Sequence, residues 1–173
     1  MTSPALRDVV LPHLDYTAWA SGLLLDACAA LPEEELNRER QASHGSLLGT
    51  LRHIYYADRV WYRRLAGAAG TQTPFRDPAP EPTLADLRRD WMPLLRKMRD
   101  WAAALGADEL AADLHYQNLK GDPFSASRWQ ILMHVVNHAT LHRGQVIGML
   151  RQSGHKPPTT DLIYFYLSLR MKS

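Results

Sequence analysis

An all-α four-helix bundle is the fold this sequence predicts, on three observations. Four stretches carry apolar residues at spacings of three and four, capping residues open most of them, and a proline-rich connection separates the second from the third. The first stretch runs from Pro12 to Leu31, with Leu14, Ala18, Leu24 or Leu25 and Cys28 on one track and Pro32 as its stop. A charged, turn-rich segment, EEELNRERQASHGS, follows, and Ser43 or Ser46 can cap a second helix that ends at Leu65-Ala66-Gly67. Its stripe is Leu47, Leu51, Ile54, Asp58, Trp61 and Leu65, an apolar seam interrupted by one acid.

Residues Ala68 to Pro82 hold four prolines and no periodicity, and so read as a long connection within one domain spanning residues 1–173. Thr83 with Asp86 opens the third helix as a capping-box variant, with Leu84, Leu87, Trp91, Leu94 or Leu95, Met98 and Trp101 on its track and Gly106 at its end. Pro93 should kink this helix or break it near Asp90. The turn signal Lys120-Gly121-Asp122-Pro123, flanked by Leu114, Tyr116 and Phe124, predicts a short hairpin before the last long helix. That helix opens on a second capping box, Ser127 with Gln130, and closes at Gly154 as a C′ glycine. The tail Asp161 to Arg170 is apolar enough to dock as a short final helix, with Lys172 and Ser173 frayed. Periodicity leaves the packing order of the helices open.

Composition narrows the function classes. With 173 residues, 46% of them hydrophobic, the chain can bury a core without staples. The single cysteine, Cys28, excludes an internal disulfide and any multi-cysteine metal site, so a metal must rest on histidines and carboxylates. Cys28 lies on the first helix track and reads as core. Twenty basic residues against eighteen acidic ones, spread along the chain, give no nucleic-acid stripe. The first residues lack the basic end and apolar run of a secretion signal, and no segment reaches the roughly 20 apolar residues that span a bilayer. A cytoplasmic protein acting on a small molecule is the expectation, with neither nucleic acid nor membrane as partner. The tryptophans Trp61, Trp91, Trp101 and Trp129 read mainly as core, with Trp19 as a candidate pocket residue. The apolar tail and the bundle faces suggest a homodimer.

Eight histidines are the informative surplus: His13, His44, His53, His115, His134, His138, His142 and His155. Three fall at intervals of four in the segment His134 to His142. Residues four apart share a helix face about 6 Å apart along the axis, so two imidazoles can converge on one ion with metal–nitrogen bonds of about 2.1 Å. His134 and His142 are separated by about 12 Å of rise and about 80° of rotation, too far to share an ion. The pair is therefore His134–His138 or His138–His142, and His53, beside the core residue Ile54, is the best-placed donor from another helix. The remaining histidines sit in or near loops or, like His13, near a helix start. An unpaired buried imidazole is costly, so a structural reading would need partners for each.

The segments DYTAW, SLLGTLRHIYYADRVWYRRLAG and MHVVNHATLHRGQV, with the DLIYFYLSLR tail, resemble the DinB/YfiT-like superfamily of metal-binding four-helix bundles over nearly the whole chain. NHxxxHRGQ is the most specific element and the upstream LRHI supports it. The resemblance implies a divalent ion held by His53, His138 and His142, which selects the second of the two pairs. His134 then becomes a neighbour one turn away, a core or supporting residue. Asp58 stands where members often carry Glu, and it reads as a buried partner for Arg143 in preference to a proton-transfer group.

Three neutral imidazoles leave coordination positions open, the arrangement of catalytic metal sites, and such an ion can generate hydroxide or thiolate near neutral pH. The ligand set does not by itself select among zinc, nickel, iron and manganese; zinc or nickel is the first expectation, with iron or manganese as alternatives. Because the superfamily includes transferases and isomerases that use low-molecular-weight thiols such as bacillithiol, mycothiol or glutathione, the resemblance implies thiol S-transfer to an electrophilic small molecule. Metal-dependent hydrolysis is the alternative within enzymes, and a non-enzymatic, metal-stapled stress-response protein the alternative outside them. Arg52, Arg59, Arg63 and Arg64 flank His53 as a basic face, with solvation as its simplest use.

Overall fold

The computed structural model describes residues 5–67, 80–118 and 120–171. Its elements are α1 (Leu6–Ala29), α2 (Glu33–Asn37), α3 (Leu47–Leu65), α4 (Leu84–Ala104), α5 (Ala107–Ala111), β1 (Asp113–Gln117), β2 (Pro123–Ser127), α6 (Arg128–Gln152) and α7 (Leu162–Arg170). The four long helices α1, α3, α4 and α6 form the bundle, and it is all-α apart from one small antiparallel hairpin.

Helix α1 packs against α4 and α6, and α3 packs against the same two, so α1 and α3 occupy opposite corners. The core gives the helix directions. One apolar cluster takes Leu24, Leu25 and Cys28 from the end of α1, Leu47, Leu48 and Leu51 from the start of α3, Leu87 and Trp91 from the first half of α4, and Met149 and Leu150 from the end of α6. The other takes Val10 and Leu14, then Leu65, then Met98 and Ala102, then Ile131 and Leu132. Helices α1 and α6 therefore run one way, and α3 and α4 the other. Parallel neighbours cannot be joined by a tight turn, because the chain must travel back along a helix of 19 residues, about 28 Å at the helical rise. The proline-rich segment after α3 meets that requirement, although residues 68–79 of it lie outside the described residues, as do Lys172 and Ser173.

Local signals set most helix ends. Ser46 Oγ accepts a hydrogen bond from the Gly49 N–H (3.0 Å) at the start of α3, which selects Ser46 over Ser43 as the cap, and Gly67 closes the helix at φ 78°. The Thr83 hydroxyl and backbone N–H both pair with Asp86, the reciprocal box expected. At α6 only half of the expected box forms: Gln130 Oε1 accepts from the Ser127 N–H, while the buried Ser127 hydroxyl has no hydrogen-bond partner. Gly154 takes φ 78° beyond α6, as a C′ glycine should. The hairpin pairs Leu114 with Ala126 and Tyr116 with Phe124, its turn organised by the Asn118 side-chain Oδ1, which accepts from Lys120 and Asp122 N–H.

Several expectations change. Helix α1 begins six residues before Pro12, with Asp8 capping the Ala5 N–H, and Pro32 starts α2 after a break in place of simply stopping α1. Pro93 sits inside an unbroken α4; the carbonyl deprived of its donor belongs to Arg89, an exposed residue. Short helices α2 and α5 form in segments that read as loop. Of the tryptophans only Trp91 is wholly buried; Trp19, Trp61, Trp101 and Trp129 lie at the core's edge. The tail docks through Phe165, which meets Tyr16 and Trp19, while Ile163, Tyr164, Leu167 and Leu169 stay exposed. Among the described residues no helix is long and apolar enough to cross a membrane.

Candidate metal centre

Because α3 and α6 are antiparallel neighbours, His53, two turns into α3, faces the middle of α6, where His138 and His142 lie one turn apart. The His53 and His138 Nε2 atoms are 3.1 Å apart. Two nitrogens bonded to one ion at about 2.1 Å are separated by about 3.0 Å at a right angle and about 3.4 Å at the tetrahedral angle. The pair is thus already at ligand spacing. The His142 ring lies 4.4 Å, centroid to centroid, from both His53 and His138. Its Nδ1 is 2.8 Å from Gln145 Oε1. With the amide oxygen accepting there, Nδ1 carries the proton and the Nε2 lone pair is free for a cation, the usual outer support of a metal-bound imidazole.

His138 is held in its neutral form. Burial, then the neighbouring imidazoles of His142, His134 and His44, push His138 down to about 4. An unprotonated imidazole is the form that binds metal, so the donor set fits a divalent cation.

A residue outside the predicted set also enters. His44, in the loop before α3, stacks on His53 with ring centroids 3.7 Å apart and lies 5.1 Å from His142. Ligand nitrogens of His44, His53 and His142 all fall within 4.8 Å of one another, so these three could hold a metal ion. Its loop is tied down. Buried Glu35 pairs with Arg38 and Arg40, and Arg40 also donates to Ser153 Oγ (2.8 Å) at the end of α6. Gly45 takes φ 72°, and a Cβ on Gly49 would stand 2.2 Å from the His44 carbonyl oxygen. Helix propensity alone would make Gly49→Ala stabilising by about 1 kcal/mol. The contact with backbone reverses the sign: Gly49→Ala is expected to lose about 1–3 kcal/mol in chemical denaturation, with the His44 loop displaced.

His134 is not core. It is exposed, one turn from His138, with its ring against Trp61 (5.3 Å) and 5.8 Å from His138. His13 bonds the Val9 carbonyl, and exposed His115 and His155 lie on β1 and after α6. The arginines divide. Arg52 is held by the Pro82 carbonyl and Glu81, Arg59 lies over Tyr55 and Tyr56, and Arg64 stacks on Trp61 and Tyr116 while donating to the Gln117 carbonyl. Arg64 and Trp61 thus form a wall beside His134.

Below the histidines a polar layer crosses the bundle between the two apolar clusters: Thr17 and Ser21 of α1, Asp58 of α3 and Arg143 of α6, all 1% exposed or less. Asp58 accepts a 2.8 Å hydrogen bond from the indole N–H of Trp91. Its partner is therefore Trp91; Arg143 acts on it only through charge, spending its own hydrogen bond on Thr140 and its face on Tyr16. Burial pushes the Asp58 carboxyl up to about 7, against the opposing pull of the Trp91 N–H and the Arg143 charge. Cys28 is core as expected, its thiol pushed by burial up to about 12, which removes it as a nucleophile.

A four-helix bundle with imidazoles from two antiparallel helices converging on one point defines a class of helical protein with a candidate metal centre. Residues 3–168 match the model of the DinB family, and the chain belongs to that family. It is similar to Protein DinB of Bacillus subtilis (strain 168), at 25% identity over 172 residues that cover 97% of this chain and 100% of the relative. It is also similar to the crystal structure of a DinB-like protein from Bacillus cereus ATCC 10987, with a TM-score of 0.56 and 23% identity over 84% of this chain and 91% of that one. That likeness carries the fold.

Proposed function

We propose that the chain is a metal-dependent enzyme in which His53, His138 and His142 hold a divalent ion, zinc or nickel first, for transfer of a low-molecular-weight thiol to an electrophilic small molecule. The observation that carries this reading is the 3.1 Å approach of His53 and His138 Nε2 across two helices, with His142 beside them and oriented by Gln145. Bound there, the ion supplies Lewis acidity, which favours the thiolate form of a thiol at neutral pH. The chain's own residues do the rest. Gln145 fixes the His142 tautomer, and Trp61 with His134 offers an apolar and aromatic wall for the electrophile. Arg64, spread over Trp61 and Tyr116, offers a cation beside this wall for a carboxylate of the thiol. In the transfer the sulfur forms a new bond to carbon, the thiol proton leaves to solvent, and the electrophile's leaving group or opened ring takes the electron pair.

The test is an assay of metal-loaded protein with bacillithiol or glutathione and a chlorinated or epoxide acceptor. Conjugation that disappears on chelation and returns with metal is the expected result. A stoichiometric ion with no thiol turnover would transfer the site to hydrolysis or to a structural role.

A further inference from the structure

The geometry points to His44 as a fourth imidazole ligand, joining His53, His138 and His142 at the ion and standing where an incoming thiol would bind; the inference rests on the metal reading above. Three observations carry it. The ligand nitrogens of His44, His53 and His142 lie within 4.8 Å of one another, and His53 Nε2 is in turn 3.1 Å from His138 Nε2, so His53 is common to the trio and to the pair. The four rings form a continuous cluster, with centroids 3.7 Å (His44 to His53), 5.1 Å (His44 to His142) and 4.4 Å (His142 to His138) apart. The loop that presents His44 is held in place by the Glu35–Arg40–Ser153 tie to α6 and by a glycine at position 49 whose hydrogen lets the His44 carbonyl pass.

His44 also differs from the other three in a way that bears on function. His53, His138 and His142 are rigidly carried on long helices, whereas His44 rides on a loop between α2 and α3. Four imidazoles saturate a tetrahedral ion, so a substrate sulfur must displace one, and the loop-borne ligand is the one whose departure leaves the helices unmoved.

The experiment is cobalt(II) titration of the untagged protein and its variants, reading affinity and the visible ligand-field spectrum, with folding checked by circular dichroism. Wild type is expected to give the intense spectrum of a four-coordinate ion. His44→Ala should still take up one cobalt, with affinity lowered by more than about tenfold and a weaker spectrum as water replaces nitrogen, and added imidazole should restore the original bands. His44→Phe keeps a ring on His53 without a donor nitrogen and should behave as His44→Ala does. A His44→Phe protein with the wild-type spectrum and affinity would overturn the inference, leaving His44 as a stacking support. The two readings fail separately: wild-type protein that takes up no cobalt, or His53→Ala that binds like wild type, removes the metal centre itself, while an unchanged His44 variant beside a defective His53 variant removes only the fourth ligand.

Discussion

Replacing His53 with Ala lowers divalent-metal affinity by more than the 10- to 100-fold that loss of an outer hydrogen-bond partner typically costs, and His155→Ala leaves it unchanged. The difference follows from position. His53 is the only member of the predicted set on α3, 3.1 Å from His138, so its removal leaves that set with donors from α6 alone. His155 is exposed beyond the end of α6. Isothermal titration with zinc or nickel reads both, and the ion should also stabilise the fold by mass action, so His53→Ala should lose the rise in melting temperature that metal gives the wild type. Equal affinities for the two variants would sink the assignment of His53.

The second large effect belongs to the polar layer, and its sign depends on pH. Asp58 titrates at about 7 when folded and at about 3.8 when exposed, so the folded state holds its proton more tightly. The resulting stability is fully present below about 4 and is lost as pH rises through about 7. Asp58→Asn, which mimics the neutral form, should therefore gain on the wild type progressively from pH 4 to 8, each unit of pKa difference corresponding to about 1.4 kcal/mol. Trp91→Phe acts oppositely at neutral pH. It removes the indole donor and leaves a buried carboxylate oxygen bare, a loss of about 1–3 kcal/mol before any repacking, and it moves the Asp58 transition to still higher pH. Urea denaturation across this range checks both variants; a wild-type to Asp58→Asn difference that stays flat from pH 4 to 8 would contradict the buried titration.

What the sequence made legible was whatever is decided locally. Ser46 and Gly67, Thr83 with Asp86, and Ser127 and Gly154 mark helix ends by hydrogen bonds within a few residues, and the Lys120–Pro123 turn marks the hairpin. The spacing of His138 and His142 is equally local, and His53 stood out beside a core residue. The parallel course of α3 and α4 was not legible, since it depends on which cores share a cluster. Nor was His44. It sits in a turn, and what carries it to the site is tertiary: the Arg40 tie to Ser153, 113 residues away, and the close passage over Gly49. The signal was present as a histidine followed by Gly45 and the capping Ser46, but a turn histidine has no periodicity to give it a face. Asp58 was visible as an acid in an apolar seam, yet its partner came from α4, a helix whose packing against α3 the seam does not specify. Of the two outcomes Pro93 allowed, the break near Asp90 does not occur, because α4 continues through the proline.

The metal content of protein purified without a metal-binding tag, measured side by side with the His53→Ala, His138→Ala double variant, tests the centre most directly. Close to one divalent ion per wild-type chain and background in the folded double variant is the result these distances predict. Equal content in the two proteins, or none in either after reconstitution, would contradict it and return the histidines to an ordinary structural role.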